Sequence, residues 1–236
     1  MKSVRFRDYK YVGDPINAVK IFNEKEVDEI LILDISATAE KRPPNIQRVK
    51  EIASEAFMPL GYGGGISKLE ENKSLILAGV EKVVLNSSAF YDPNLISAGA
   101  KYVGSQSIVA SVDVKKNVWG KYKAYVKNGT KSTNLDPVVY AKMMENAGAG
   151  EILLNSIDRD GTFSGYDLEL ISLVSSRLKI PVVAVGGASS ISDFANAIRH
   201  GASAVAAGSM FVFQRPHKAV LISYPSAGDL SEQLFV

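Results

Sequence analysis

Short runs of branched apolar residues alternate with amphipathic stretches along the whole chain. The runs are ILIL at 30–33, VVL at 83–85, IVASV at 108–112, ILL at 152–154, VVAV at 182–185 and AVAA at 204–207. Continuous runs of this length suit strands buried on both faces, as in a parallel sheet covered by helices. The intervening segments predict helices. Asp14-Pro15, Asp92-Pro93 and Asp136-Pro137 read as an N-cap followed by proline at the first helical position. Ala78-Gly79, Ala147-Gly148 and His200-Gly201 read as helix ends. Seven strands are expected, near 29–34, 59–62, 82–86, 107–113, 151–155, 181–185 and 204–207. The stretch 118–126 (VWGKYKAYV) predicts a hairpin excursion on which Trp119 and Tyr122 pack. No linker-like segment interrupts the alternation, so residues 1–236 read as one α/β domain with right-handed crossovers.

The pattern is written twice. DPINAVKIFNEKEVDEILILDI at 14–35 matches DPVVYAKMMENAGAGEILLNSI at 136–157, an offset of 122 (136 less 14). PLGYGGGISKLEENKSLILAGVEKVVLNSS at 59–88 matches PVVAVGGASSISDFANAIRHGASAVAAGSM at 181–210, again offset by 122. A constant offset means that one half was duplicated and fused to itself. The expected fold is therefore a (β/α)8 TIM barrel with a two-fold internal repeat, which requires eight strands. By the repeat, the strand before the first Asp-Pro helix is missing. It is expected upstream of Met1, with residues 2–8 (KSVRFRD) as the loop that follows it.

Composition narrows the chemistry. There is no cysteine, which excludes disulfides, thiolate catalysis and Cys-ligated metals. The two histidines, His200 and His217, are too far apart for a helical pair and read as surface or helix-end residues. Hydrophobic residues make up 46% and charged residues 22%; the net charge of +2 argues neither for nor against nucleic acid or a membrane surface, there is no strong basic stripe, and neither partner is expected. The charged N-terminus has no signal-peptide core and no apolar run approaches a membrane span, so a cytoplasmic protein is expected.

In a barrel of this kind, chemistry gathers at the C-terminal ends of the strands. Asp113 ends the apolar strand SIVASVD, where partial burial would raise its pKa into a useful acid/base range. Asp34 has the same placement, with Ser156 as its repeat partner. Asp158 and Asp160 lie in the polar loop SIDRDGTFSGYD at 156–167, where Gly161 allows close backbone approach. Gly63, Gly64 and Gly65 follow one strand, and Gly186 and Gly187 follow its repeat equivalent. Each is paired with a small polar loop on the next strand, Asn86-Ser87-Ser88 or Gly208-Ser209. Backbone N–H groups in such loops wrap phosphates. Two pairs related by the repeat imply a bisphosphorylated small-molecule substrate. At the opposite end Glu29, Lys82 and Glu151 each stand where a strand begins and could form a charged ring.

At these residues the chain resembles the cyclase subunit of imidazole glycerol phosphate synthase. The resemblance runs through GDP (13–15), DEILILDI (28–35), PLGYGGGI (59–66), VEKVVLNSSA (80–89), GSQSIVASVDVK (104–115), GAGEILLNSIDRDGT (148–162) and GYDLEL (165–170). It implies a lyase of histidine biosynthesis with no cofactor. Ammonia and a phosphoribulosyl formimino-carboxamide bisphosphate would yield imidazole glycerol phosphate and aminoimidazole carboxamide ribotide. A glutaminase subunit would dock on the barrel floor and send ammonia through the barrel. The resemblance assigns acid/base catalysis to Asp113 and a supporting acidic role to Asp160. It makes Lys2 the lysine of a loop over the site. Gly64, Gly65, Asn86 and Ser87 become one phosphate site, and Gly161, Gly187, Gly208 and Ser209 the other. Glu29, Lys82 and Glu151 become members of an ammonia gate.

The chain departs from the family in its absent opening strand, in Asn155 where threonine is usual, and in its ending FVFQRPHKAVLISYPS (211–226). That ending is similar to a paralogous branch associated with surface polysaccharides. There the implied partner is a sugar amidotransferase, to which the barrel would deliver ammonia.

Overall fold

The computed structural model describes residues 1–217 and 219–234. Its central sheet contains β1 (Ile30–Leu33), β2 (Leu60–Gly63), β3 (Lys82–Leu85), β4 (Ile108–Lys116), β5 (Glu151–Ser156), β6 (Val182–Val185) and β7 (Ala204–Ala206). These seven strands lie side by side in chain order and every neighbouring pair is parallel. The crossovers carry α1 (Pro15–Glu24, ahead of β1), α2 (Ile46–Ala53), α3 (Leu69–Leu77), α4 (Asn94–Val103), α5 (Pro137–Ala147), α6 (Leu168–Ser175) and α7 (Ile191–Arg199). A last helix, α8 (Ala227–Leu234), packs on α7. The sheet curls as a (β/α)8 barrel does. Among the described residues β1 and β7 do not pair with each other, so a seam separates them.

Successive residues of a strand point to opposite faces. On β3, Val83 and Leu85 join the large core beneath the helices, while Val84 joins Val109, Leu153 and Val183 in a second cluster inside the barrel. Leu31, Val185 and Ala206 pack against that inner cluster, so most strands contribute to one apolar layer. Among the described residues no helix is long and apolar enough to cross a membrane.

The duplication extends to individual hydrogen bonds. Asn45 caps α2 through the Arg48 N–H, and Asp167 caps α6 through the Leu170 N–H, 122 residues on. Ahead of α3, the Glu71 carboxylate accepts from the backbone of Ser67 and Lys68. Ahead of α7, Asp193 accepts from Ser189 and Ser190 in the same way. Asp14 and Asp136 cap α1 and α5, each followed by the expected proline. Beyond α1, the N–H groups of Glu26 and Val27 return to Asn23 and Phe22; beyond α5, those of Gly148 and Ala149 return to Glu145 and Met144.

Three segments differ from the sequence reading. β4 runs to Lys116, so Asp113 lies inside the strand. The extension is paired on both sides, with Ser156 of β5 and with the antiparallel strand Tyr122–Val126. Trp119 does not pack: it is 80% exposed, because the Asn117 side chain accepts from the Trp119 and Lys121 N–H groups and holds a tight turn out beyond the sheet. Tyr122 does pack, with the Lys116 ammonium 4.5 Å from its ring centroid and its hydroxyl donating to Asp167 at 2.8 Å. Residues 2–8 belong to a small antiparallel hairpin, Lys2–Val4 with Arg7–Lys10, tied to the loop after β5 by the Arg5 N–H on the Asp160 carbonyl at 2.9 Å. His200 ends α7 and is exposed, as is His217.

Candidate active site

A cavity of about 1260 Å³ extends from the mouth, lined by Asp113, Asp160 and Gly64, to the floor, lined by Glu29, Lys82 and Glu151. Asp113 stands in its wall, 7% exposed. Ser111, two residues back on the same face of β4, donates to one carboxyl oxygen at 3.3 Å, and Asn86 donates to the other at 3.2 Å. These two bonds favour the carboxylate. Burial disfavours it more strongly and the nearby Asp160 carboxylate adds to that, so the pKa is pushed up to about 7.

Asp160 is also buried, at 6% exposure. It accepts from the Ser3 hydroxyl at 3.2 Å and faces the Lys2 ammonium at 3.9 Å. Lys2 lies against Gly208, where a Cβ would collide with its side chain. Gly161 has φ 71° and a Cβ there would strike the Ser3 carbonyl. The N-terminal hairpin thus brings together Lys2, Asp160, Gly161 and Gly208, residues far apart in the chain.

The glycine loops have matching geometry in the two halves. Gly64 and Gly65 have φ 113° and 73°, and Gly186 and Gly187 have φ 99° and 106°, the region that favours glycine. Side chains would also not fit: a Cβ on Gly64 would meet the Asp34 carbonyl, and one on Gly187 the Gly165 carbonyl. Ser209 is buried at the start of the short helix Ser209–Val212.

The side chains of the first polar loop are already engaged. Asn86 serves Asp113 and the Ser111 carbonyl, the latter at 3.0 Å. The Ser87 hydroxyl donates to Asn86 and accepts from the Lys127 N–H at 2.9 Å. A phosphate seated there would meet backbone N–H groups, with Asn86 orienting the acid instead.

Asp34 is held differently from Asp113. Burial works to raise its pKa, but Arg42 binds both its oxygens, at 2.7 and 3.0 Å, and the Ser36 and Ala37 N–H groups add to this, so the value is lowered. A carboxylate in that cage stays ionised and organises the loop after β1. Asn155 sits beside Asp113 in the β4–β5 register, 8% exposed, and its side-chain oxygen has no hydrogen-bond partner.

On the floor, Lys82 reaches Glu29 at 2.7 Å and Glu151 at 3.0 Å. Glu29 lies just ahead of β1, while Lys82 opens β3 and Glu151 opens β5, so the three gather at the same end of alternate strands. Partial burial opposes the ammonium charge, but the two carboxylates outweigh it and raise the Lys82 pKa.

Sequence reasoning missed Ser111, Arg42 and Tyr140. The two-residue spacing from Asp113 pointed to Ser111. Tyr140 is fully buried and donates to the Asn86 carbonyl at 3.4 Å, a contact that only the fold reveals.

The family model described as histidine biosynthesis protein matches residues 1–216. A Pseudomonas aeruginosa protein, provisionally named imidazole glycerol phosphate synthase subunit hisF2, is 49% identical over 231 residues, 98% of this chain and 92% of the relative. A Leptospira interrogans protein, provisionally named imidazole glycerol phosphate synthase subunit HisF, is 46% identical over 237 residues, 100% of this chain and 93% of the relative. The imidazole glycerol phosphate synthase subunit HisF of Alkaliphilus metalliredigens is 44% identical over 212 residues, 89% of this chain and 84% of the relative.

Proposed function

The chain belongs to the histidine biosynthesis protein family, among relatives named as imidazole glycerol phosphate synthase subunits, and from that premise we propose that it is a lyase-type cyclase acting on a linear bisphosphate with ammonia. The observation that carries this reading is Asp113, a buried carboxyl with its pKa pushed up to about 7, in a cavity bordered by the Gly63–Gly65 loop and by Gly208. A group with that pKa is present in both protonation states near neutrality and can give and take protons in successive steps. Ring closure needs this, since attack by ammonia releases protons and elimination of water consumes one. Asp160 stands across the site with Lys2 and Ser3 on its oxygens and tunes Asp113 through its charge. The Gly64–Gly65 and Gly161–Gly187–Gly208–Ser209 groups hold the two phosphates. The Lys82 triad lies at the end of the cavity where ammonia from a glutaminase partner would enter.

The test supplies the bisphosphate and ammonium at pH 8 and follows imidazole glycerol phosphate and aminoimidazole carboxamide ribotide together. The two should form in equal amounts, and Asp113→Asn should abolish both. Substrate consumption without either product would sink the reading.

A second reading is favoured by the segments KYVGDPIN (10–17) and LISYPS (221–226), the latter in the ending that is similar to a paralogous branch associated with surface polysaccharides. Here the protein delivers ammonia to a sugar amidotransferase and cyclisation is reduced. Complementation separates the two: growth of a cyclase-deficient strain without histidine excludes the delivery-only role.

A further inference from the structure

Outside the residues just described, one corner of the mouth gathers unneutralised positive charge. Tyr91 ends the short helix Ser87–Tyr91, directly after the first polar loop. The ammonium groups of Lys131 and Lys127 lie 5.1 and 5.7 Å from its ring centroid. Phe90 meets the same ring edge-on, at 5.1 Å. Among the described residues neither lysine has a carboxylate partner. Tyr91 and Lys127 line the cavity that also holds Gly64, Gly65 and Ser87.

The lysines are placed by a constrained turn. Lys127, Asn128 and Gly129 have φ 54°, 54° and 69°, three left-handed residues in a row. The Lys127 N–H is fixed to Ser87, the Asn128 amide donates to the Ile35 carbonyl, and Gly129 packs against Ile157 and Phe6. The turn is therefore a strap that joins three loops of the mouth and presents Lys127 to the cavity that the first glycine loop also lines. Non-glycine residues adopt this conformation at a cost, and such runs concentrate at ligand-binding sites.

We propose that Tyr91, Lys127 and Lys131 form an outer anion subsite that captures the phosphate monoester end of the substrate before it seats at Gly64 and Gly65. The inference rests on the bisphosphate reading and adds to it a capture step and the residues that perform it. Two ammonium groups close to one half-exposed aromatic ring give a positive patch that a dianion can approach from solvent. Tyr91 itself reports that potential. Its bonded Lys131 neighbour, with Lys127 adding to it, lowers the phenol pKa against the opposing effect of desolvation, so negative charge is already favoured at this spot. Inorganic phosphate alone supplies the chemistry the subsite recognises.

The experiment uses the full chain with inorganic phosphate and glycerol 3-phosphate as probes. Affinity is measured by calorimetry, and the Tyr91 ring is followed by carbon NMR, its signal assigned by its loss in Tyr91→Phe. In the wild type, bound phosphate should return the Tyr91 titration toward its ordinary value. Lys127→Gln with Lys131→Gln should weaken both probes by about tenfold or more and flatten the salt dependence. Lys127→Arg with Lys131→Arg should restore binding, which separates lost charge from disturbed folding. If the wild type binds glycerol 3-phosphate and the double glutamine variant binds it equally well, the outer subsite falls while the bisphosphate reading stands. If the wild type binds neither probe, both fall.

Discussion

Asp113→Asn separates catalysis from stability. The substitution keeps the shape of the side chain and removes its charge. In the folded protein the Asp113 pKa is pushed up to about 7, against 3.8 for an ordinary aspartate. The unfolded chain releases the proton first, so native stability falls as pH rises through this interval. Below 3.8 both states are protonated and no penalty exists; above about 7 the penalty is complete. At about 1.4 kcal/mol per pH decade, the full penalty is roughly 4 kcal/mol, of which about 3 kcal/mol develops between pH 4.5 and 8. The variant carries none of it. Urea denaturation of both proteins across that range should therefore show the stability difference moving by about 3 kcal/mol in favour of the asparagine variant as pH rises. The constant part of the difference depends on how the new amide shares the Ser111 and Asn86 donors, but the slope follows the Asp113 titration, to which the Asp160 charge contributes. Two parallel stability curves would refute the argument, because they would mean that Asp113 titrates like an exposed carboxylate.

Other outcomes follow from the same structure. Lys82→Met leaves Glu29 and Glu151 facing each other partly buried; a loss of about 1–2 kcal/mol in urea denaturation is expected, with part recovered by adding Glu151→Gln. No recovery in the double variant would show that the two carboxylates do not repel. Gly161→Ala forces a Cβ against the Ser3 carbonyl at φ 71°, and should cost about 1–2 kcal/mol. Hydrogen exchange should then speed up at the Arg5 amide and not in β4; uniform acceleration would contradict a local effect. Arg42→Ala should lower stability at pH 7 by less than either of these changes, because solvent screens the partly exposed pair. The Asp34 pKa is lowered in the fold, so this contribution is present above its unfolded value of 3.8 and vanishes as pH falls through the folded one. A gap between the two proteins that persists at low pH would assign the loss to packing.

Six of the seven strands were legible as short apolar runs, and the seventh, LGYG at 60–63, is the repeat partner of VVAV at 182–185. Asp113 was legible because a carboxylate in SIVASVD breaks an apolar stretch. Its position inside β4 was not, since the strand is prolonged by pairing with Tyr122–Val126, and alternation does not say how far a hairpin clings to its neighbour. The exposure of Trp119 was misread because composition favours burying an indole, whereas the Asn117 turn decides where it points. Arg42 escaped because its bond to Asp34 depends on how the loop after β1 folds back on itself, and the Lys127 strap because it joins loops whose meeting depends on barrel curvature. Lys82 with its two glutamates was legible as a ring, since each stands at or just before a strand start, but the shared geometry came only from the fold.

The paired helix ends give the duplication a practical use. Beyond α1, Glu26 has φ 52°; beyond α5, Gly148 occupies the equivalent place at φ 108°. The backbone bonds of the two turns correspond one for one, so the second half shows which residue that turn accommodates without strain. Each half can therefore serve as a template for engineering the other. Where their backbones agree and their residues differ, the better-suited residue can be transplanted without reference to any other protein.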